Sequence, residues 1–198
     1  MKINRPLFWN NINLISILLY PLSLITFLIN IIKKIPNNKN FKIKSICVGN
    51  LYAGGTGKTP LSIKISNILK KKYKTVFIKK KYSDQIDEQN LLKSYGNLIC
   101  RKDRDNALKI ATKQKYDVAI LDDGLQDKSL NYNITIACFN SSDGIGNSFL
   151  IPSGPLREDI SEIKNYDAVF LNGEKSNKKF SKYLKKLNND IKVFEAKY

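Results

Sequence analysis

One stretch decides the fold: Val48-Gly49-Asn50-Leu51-Tyr52-Ala53-Gly54-Gly55-Thr56-Gly57-Lys58-Thr59-Pro60. It lies between an apolar run that is rich in β-branched residues and a helical stretch that begins at Lys58. Glycines in such a turn let backbone N–H groups surround phosphate oxygens, a lysine adds a positive charge, and a threonine hydroxyl is a ligand for Mg²⁺. The stretch is therefore predicted to be a phosphate-binding loop. Its expected nucleotide-binding residues are Gly54, Gly55, Thr56, Gly57, Lys58 and Thr59.

The loop departs by one residue from the strict GxxxxGK[ST] pattern, because Tyr52 stands at the first glycine position. It matches the Gly-Gly-x-Gly-Lys-Thr variant instead. The alternative is a glycine-rich turn followed by Lys58 and Thr59 by chance. The strand, turn and helix context favours the phosphate-binding loop.

A second element supports the first: the apolar run Val118 to Leu121 continues into Asp122-Asp123-Gly124-Leu125-Gln126. A strand that ends in paired carboxylates is suited to hold hydrated Mg²⁺ opposite a phosphate loop. Taken alone, Asp-Asp-Gly is equally typical of a turn. Together with the phosphate loop it predicts a Walker B element. Thr59, Asp122 and Asp123 are then the expected Mg²⁺ ligands, and Gln126 belongs to the nucleotide site.

Beyond Asn40, short β-rich runs alternate with helical stretches, which predicts an α/β fold of the P-loop type with a mostly parallel sheet and flanking helices. The predicted strands are 43–48, 75–78, 97–100, 118–121, 134–139, 168–171 and 192–195. The predicted helices are 58–72, 88–95, 103–113 and 178–187.

The N-terminal segment differs from the rest, because 19 uncharged and mainly apolar residues run from Leu14 to Ile32. As a helix they would extend about 28 Å, close to the thickness of a bilayer core. The helix is expected either to span the membrane or to lie in its interface. Pro21 and Asn30 favour the in-plane arrangement, with Lys33, Lys34, Lys39, Lys42 and Lys44 at anionic headgroups. The alternative is a core helix of a soluble domain.

This reading divides the chain into a membrane-anchoring helix with a basic linker, residues 1–40, and a P-loop lobe, residues 41–198. The chain carries 34 Lys and Arg against 17 Asp and Glu, a formal charge of +17. Nucleic acid, an anionic membrane and a phosphorylated substrate are all compatible with that charge. Cys47, Cys100 and Cys138 form no CxxC pair and the sequence has no histidine, so buried thiols are expected rather than a zinc site or disulfides.

Five motifs together resemble the tetraacyldisaccharide 4'-kinase family. In chain order they are Gly49-Asn50-Leu51, Gly54-Gly55-Thr56-Gly57-Lys58-Thr59-Pro60, Asp122-Asp123-Gly124-Leu125-Gln126, Pro152-Ser153-Gly154-Pro155-Leu156-Arg157-Glu158 and Asp167-Ala168-Val169-Phe170-Leu171-Asn172-Gly173. The resemblance implies phosphorylation of an anionic lipid A precursor with ATP and Mg²⁺, at the cytoplasmic face of the inner membrane. It also implies that Lys58 contacts phosphate and that Asp87, in Ile86-Asp87-Glu88-Gln89, prepares the sugar hydroxyl for attack. An N-cap of the following helix is the alternative role for Asp87.

The sequence also departs from the family. Lys79-Lys80-Lys81-Tyr82-Ser83 stands where the family has Ser-Arg-Gly-Tyr-Gly, and Asp127 stands where a histidine normally follows the Asp-Asp-Gly motif. The family continues into a second lobe that carries a histidine partner for the catalytic aspartate. Feeble turnover by this chain alone is therefore expected, unless a separate polypeptide supplies that lobe. A catalytically weak, membrane-anchored nucleotide-binding interaction module is the alternative. Action on nucleic acid is disfavoured, since no basic run interleaved with aromatics follows the core.

Overall fold

Seven strands and five α-helices alternate along the chain in a computed structural model that describes residues 5–33, 39–82 and 85–196. The strands are β1 (Lys44–Gly49), β2 (Thr75–Lys80), β3 (Leu98–Arg101), β4 (Val118–Asp122), β5 (Ile134–Asn140), β6 (Ala168–Asn172) and β7 (Lys192–Ala196). The helices are α1 (Leu14–Lys33), α2 (Lys58–Leu69), α3 (Ile86–Tyr95), α4 (Arg104–Lys113) and α5 (Lys178–Leu187). Short 3₁₀ turns cover Leu7–Trp9 and Ile160–Asn165. The expected α/β class is confirmed.

Contacts divide the chain into two units. The central unit comprises Asn37–Gly49 and Lys58–Thr135, and the terminal unit comprises Met1–Pro36, Asn50–Gly57 and Ile136–Tyr198. The functional division proposed at residue 40 remains a prediction.

The central unit holds four parallel strands in the order β3-β2-β4-β1. Buried apolar side chains of β2 and β4 pack with Ile63 of α2 and Leu92 of α3. β4 is buried at all five positions, as expected for a strand covered on both faces. All four strands run in the same direction, so their carboxyl ends, where Gly49, Lys79 and Asp122 lie, are at one edge.

The terminal unit holds β5, β6 and β7, again parallel to their neighbours. Phe139 of β5 packs against the ring of Phe180 in α5, with centroids 5.4 Å apart, and stacks on Tyr52 at 5.9 Å. Leu184, one turn after Phe180, is fully buried, whereas the lysines of α5 are mainly exposed. This amphipathic pattern places the core of the unit between its strands and α5.

Helix α1 belongs to the terminal unit and presents two different faces. Ser16 and Ser23 are buried, while Leu18, Leu22 and Ile25 are 49–77% exposed. At about 100° per residue these polar and apolar sets lie on opposite sides of the helix. By length and composition α1 is the one helix among the described residues that is able to cross a membrane. Lys34 of the expected basic cluster lies outside the described residues.

Two helix limits differ from the expectation by more than one residue. α2 ends at Leu69 instead of Lys72, because the chain turns back at residues 70–73 to begin β2, and Lys72 donates its N–H to the Leu69 carbonyl oxygen at 2.9 Å. α3 begins at Ile86, two residues before the expected start. Asp87 is therefore inside the first turn of α3 and is not its N-cap, which corrects that alternative.

Candidate active site

The loop Asn50–Gly57 follows β1 and belongs to the terminal unit. Gly54 and Gly57 have φ angles of +144° and +77°, which only glycine adopts without strain. Gly54 and Gly55 are exposed, whereas Thr56 is buried. The Thr56 hydroxyl has no hydrogen-bond partner within the described part of the chain. The loop therefore offers exposed glycine backbone and an unpaired hydroxyl for a polar ligand.

A second segment supports this loop within the same unit. The Arg157 N–H donates to the Leu51 carbonyl oxygen at 2.7 Å, and the Arg157 guanidinium donates to Asn50 Oδ1 at 3.3 Å. The Ala53 N–H donates to the Pro155 carbonyl oxygen at 2.8 Å. Arg157 belongs to the motif Pro152–Glu158, for which the sequence predicts no individual role at this position. Only the structure shows which residues the motif contacts.

Lys58 and Thr59 are the first two residues of α2, in the central unit. The Thr59 hydroxyl lies 3.3 Å from Asp122 Oδ2, and the Ser62 hydroxyl lies 3.5 Å from Asp122 Oδ1. Asp122 ends β4 and is fully buried. The Lys58 ammonium forms no ion pair with any described carboxylate. The structure thus brings Thr59 and Asp122 together as expected and leaves Lys58 available for an anion.

Asp123 directly follows β4 and has a φ of +62°, a strained value for a residue with a side chain. Its N–H donates to the Val48 carbonyl oxygen at 2.8 Å, and its carbonyl oxygen accepts from the Arg104 guanidinium. Gln126 lies in the turn that follows and is half-buried. These backbone bonds hold the turn beside the end of β1. The side-chain roles of Asp123 and Gln126 remain predictions.

Lys79 is a site residue that the sequence reasoning missed. It faces Asp122 in the β2–β4 register and is only 2% exposed. Its ammonium lies 2.6 Å from Asp122 Oδ2 and 2.6 Å from Glu88 Oε2. Burial lowers the pKa of Lys79, but the two carboxylates outweigh burial and raise that pKa above its ordinary value. A lysine directly after the apolar run 76–78 was the available signal.

Asp87 is exposed in the first turn of α3. Its carboxylate makes no hydrogen bond or ion pair with the described residues, and Ser83 just before α3 lies outside them. The structure therefore places Asp87 beside Glu88, which contacts Lys79, without joining Asp87 itself to Asp122. Its catalytic role remains a prediction.

A polar cleft of about 460 Å³ opens in the central unit. It is lined by five cationic side chains, those of Lys39, Lys80, Lys102, Arg104 and Lys109. Three carboxylates also line it, those of Asp103, Asp105 and Asp127. Asp105 pairs with Lys39 at 2.7 Å and with Lys109 at 3.3 Å, while Asp127 pairs with Arg104 at 3.3 Å. Lys39 is thus engaged in the cleft, although it was expected at lipid headgroups.

Comparison with known proteins finds relatives over most of the chain. The family model for LpxK, tetraacyldisaccharide-1-P 4'-kinase, matches residues 15–97 and 79–198. The chain is 47% identical over 202 residues to tetraacyldisaccharide 4'-kinase of Pelagibacter ubique, an alignment covering all of this chain and 64% of that relative. It is 36% identical over 190 residues to the Rickettsia typhi enzyme of the same name, covering 86% of this chain and 59% of that relative. The chain thus spans less than two thirds of the length of these curated relatives.

A solved structure shares the fold. The crystal structure of LpxK from Aquifex aeolicus in complex with ATP superposes with a TM-score of 0.70 and 21% identity, covering 93% of this chain and 82% of that chain. The five motifs, the strand and helix order, and the family match over nearly the whole chain all agree. The chain belongs to the LpxK family, the family described as tetraacyldisaccharide-1-P 4'-kinase.

Proposed function

We propose that this chain binds ATP and takes part in transferring its γ-phosphate to the 4'-hydroxyl of a tetraacyldisaccharide 1-phosphate. The observation that carries the proposal is the buried Thr59–Asp122 pair at the start of α2, next to Lys58. Membership of the LpxK family supports the same reaction. The acceptor is inferred from the names of the relatives, and ATP binding is inferred from the residues of this chain.

ATP is expected to bind through its phosphates. Gly54 to Gly57 offer backbone N–H groups and the unpaired Thr56 hydroxyl, while Lys58 adds a positive charge at the N-terminus of α2. The N-terminal end of a helix attracts anions, because its first N–H groups lack intrahelical partners and the helix dipole is positive there. These residues bind and orient the nucleotide, which is most of what phosphoryl transfer requires of a protein.

The donor set fits Mg²⁺. A hydroxyl and a carboxylate are hard oxygen ligands, and the Thr59 and Asp122 oxygens already lie 3.3 Å apart. Thr59 and Asp122 would hold the ion, with Asp123 as the further expected carboxylate. When bound, the ion supplies charge neutralisation at the phosphates. Asp122 is held in place by Lys79 and Thr59 at the end of a fully buried strand.

Asp87 is the residue proposed to accept the proton of the 4'-hydroxyl. As the proton moves to the carboxylate, the hydroxyl oxygen forms its bond to the γ-phosphorus and the bond from the γ-phosphorus to the ADP oxygen breaks. Asp87 is exposed on α3, so a bulky acceptor has access to it. The neighbouring residue Glu88 ties the same helical turn to Lys79.

The anionic group of the acceptor has a suitable place in the polar cleft of the central unit. Five cationic and three anionic side chains line that cleft, and none of the carboxylates pairs with Lys80 or Lys102. An excess of positive charge in a concave surface attracts phosphate groups. We expect Lys80 and Lys102 to affect the binding of the lipid and to leave the binding of ATP unchanged.

We also propose that α1 lies in the plane of the cytoplasmic leaflet of the inner membrane. Ser23 donates to the Leu150 carbonyl oxygen and Thr26 to that of Ile151, each at 2.7 Å. Asn30 donates to the Arg157 carbonyl oxygen, also at 2.7 Å. These bonds fasten the second half of the helix to one loop of the terminal unit. A helix that crossed the bilayer away from this loop would leave those polar groups without partners in hydrocarbon, which is costly.

The second candidate function is a membrane-anchored nucleotide-binding interaction module with little catalysis. One observation favours it. The Asp87 carboxylate makes no hydrogen bond or ion pair with the other described residues, so no described side chain orients it as a general base. Without general-base assistance, turnover typically falls by a factor on the order of 100 or more. Nucleotide binding would persist, because it depends on other residues.

One experiment tests both candidates. Purified protein in detergent is incubated with MgATP and the disaccharide 1-phosphate lipid, and the bisphosphorylated product is followed, with Lys58→Ala as the matched control. Product that depends on Lys58 supports the kinase. ATP binding without product supports the interaction module, and absence of ATP binding rejects both.

A further inference from the structure

We propose that Lys79 is a positioning residue of the nucleotide site, acting as a built-in cation on Asp122 and as the tie between Asp122 and helix α3. This inference rests on the proposed function, because it assumes that Asp122 belongs to the nucleotide site. It concerns a lysine that the phosphate loop and the Walker B pattern do not include.

Lys79 forms a bridge between Asp122 and Glu88, and this bridge is short and buried. Lys79 stands beside Asp122 in neighbouring parallel strands, and its ammonium lies 2.6 Å from one oxygen of Asp122 and 2.6 Å from one oxygen of Glu88. An ammonium has three N–H donors, so the two carboxylates occupy two of them. Lys79 is 2% exposed and the Asp122 side chain is fully buried, so water screens this pair much less than a surface pair.

The bridge alters what Asp122 offers to a second cation. The oxygen that Lys79 contacts, Oδ2, is the same oxygen that lies 3.3 Å from the Thr59 hydroxyl. A divalent ion attracted to Thr59 and Asp122 therefore meets a carboxylate whose charge is already shared with an ammonium. Two cations at such short range repel each other. The ammonium balances the negative charge of Asp122 before the nucleotide binds. It therefore raises the Mg²⁺ concentration that nucleotide binding requires.

The bridge also fixes α3. Glu88 belongs to the first turn of α3, directly after Asp87, and its contact with Lys79 joins that turn to the end of β2. Gln89 adds a hydrogen bond from its side chain to the Tyr82 carbonyl oxygen at 2.8 Å, which is local. No other ion pair between described residues links α3 to the strands. Lys79 therefore sets the position of the turn that carries Asp87.

The first test measures the Mg²⁺ dependence of nucleotide binding, with a fluorescent ATP analogue as the probe. Lys79→Met is expected to lower the Mg²⁺ midpoint by about fivefold or more, because the competing charge is gone. Lys79→Arg keeps a cation and is expected to retain the wild-type midpoint. A merely structural lysine would instead weaken nucleotide binding at every Mg²⁺ concentration and leave the midpoint unchanged, which would overturn the proposal.

A methionine at position 79 leaves two carboxylates without their cation, so the variant is checked by thermal melting. If it does not fold, Glu88→Gln decides the same point. Glu88 is 45% exposed, and its neutral replacement leaves the ammonium with Asp122 as its one remaining carboxylate. The Mg²⁺ midpoint is then expected to rise. An unchanged midpoint in Glu88→Gln would refute the built-in cation.

The second test follows amide hydrogen exchange of residues 86–95 without nucleotide. Glu88→Gln is expected to speed exchange in the first turn of α3, and Lys93→Gln, an exposed charge on the same helix, serves as the control. Equal exchange in wild type and Glu88→Gln would overturn the tie to α3. The exchange measurement needs no ATP, so it tests the contact between Lys79 and α3 even if wild type does not bind nucleotide. Absence of nucleotide binding by wild type would contradict the proposed function and not this inference.

Discussion

Lys58 is the single residue expected to contribute most to ATP binding. It stands at the N-terminus of α2, and its ammonium pairs with no described carboxylate. We predict that Lys58→Ala lowers ATP affinity at least about tenfold, the usual effect of losing a hydrogen bond to a charged group. Lys71→Ala is the control. Lys71 is exposed in the turn after α2, so its replacement is expected to be near neutral in the same titration. Equal affinity of wild type and Lys58→Ala would exclude the phosphate loop.

The cysteines supply a second prediction for single residues. Burial raises the pKa of the Cys47 thiol far above its ordinary value and also raises the pKa of Cys100, which is only partly buried. The thiolate is the reactive form, so raised pKa values slow alkylation. We predict that Cys47 and Cys138 resist iodoacetamide at pH 8, that Cys100 reacts slowly, and that all three react after denaturation. Peptide mapping measures this, and rapid labelling of Cys47 in the folded protein would contradict its buried position.

Among the elements, α1 contacts the rest of its unit through polar side chains. Ser23 donates to the Leu150 carbonyl oxygen and accepts the Ser153 N–H at 3.2 Å. We predict that Ser23→Ala destabilises the protein by about 1–3 kcal/mol, because both backbone groups lose a partner in a buried place. The melting temperature should fall by a few degrees, roughly 2–4 °C per kcal/mol for a chain of this size.

Ser94→Ala is the control for that measurement. Ser94 is exposed on α3 and donates only to the nearby Leu91 carbonyl oxygen at 2.8 Å. Its removal leaves a carbonyl that water reaches, so little change in melting temperature is expected. If both variants melt like wild type, the bonds between α1 and residues 150–157 do not contribute to stability.

At the scale of the whole molecule, the exposed apolar face of α1 predicts membrane binding. Leu18, Leu22, Ile25 and Ile29 lie on the face opposite Ser23 and are 44–77% exposed. We predict that wild type sediments with vesicles of anionic lipid at high salt, since apolar burial is not screened by ions. Replacing the four residues with serine should release the protein without unfolding it, because these side chains pack little within the molecule.

Exposed lysines of α5 provide the control for the membrane-binding prediction. A variant with Lys182 and Lys185 of α5 changed to glutamine should still sediment, because these exposed charges contribute mainly the part of binding that salt removes. If the serine variant still sediments at high salt, the anchor lies elsewhere. Deleting residues 1–34 is expected to release the protein in the same way, although this change also removes the bonds to residues 150–157.

The sequence by itself determined the order of strands and helices and the glycine-rich turn between β1 and α2. Parallel strands buried on both faces are apolar runs, and phosphate loops require glycines next to Lys and Thr, so both are visible as local patterns. It also determined that Asp122 ends a strand at the edge where ligands bind. These features depend on neighbours within a few residues, which is why the pattern and the structure agree.

Only the tertiary structure decided which distant residues meet. Lys79 reaches Asp122 because β2 and β4 are adjacent and in register, which no local pattern of the sequence specifies. Arg157 reaches Asn50 across 107 residues, and Ser23 reaches Leu150 across 127. The sequence showed α1 only as an apolar run, because Ser23, Thr26 and Asn30 do not by themselves reveal what they contact. Their partners are backbone carbonyls of a loop, and a carbonyl is the same in every residue, so folding alone brings donor and acceptor together.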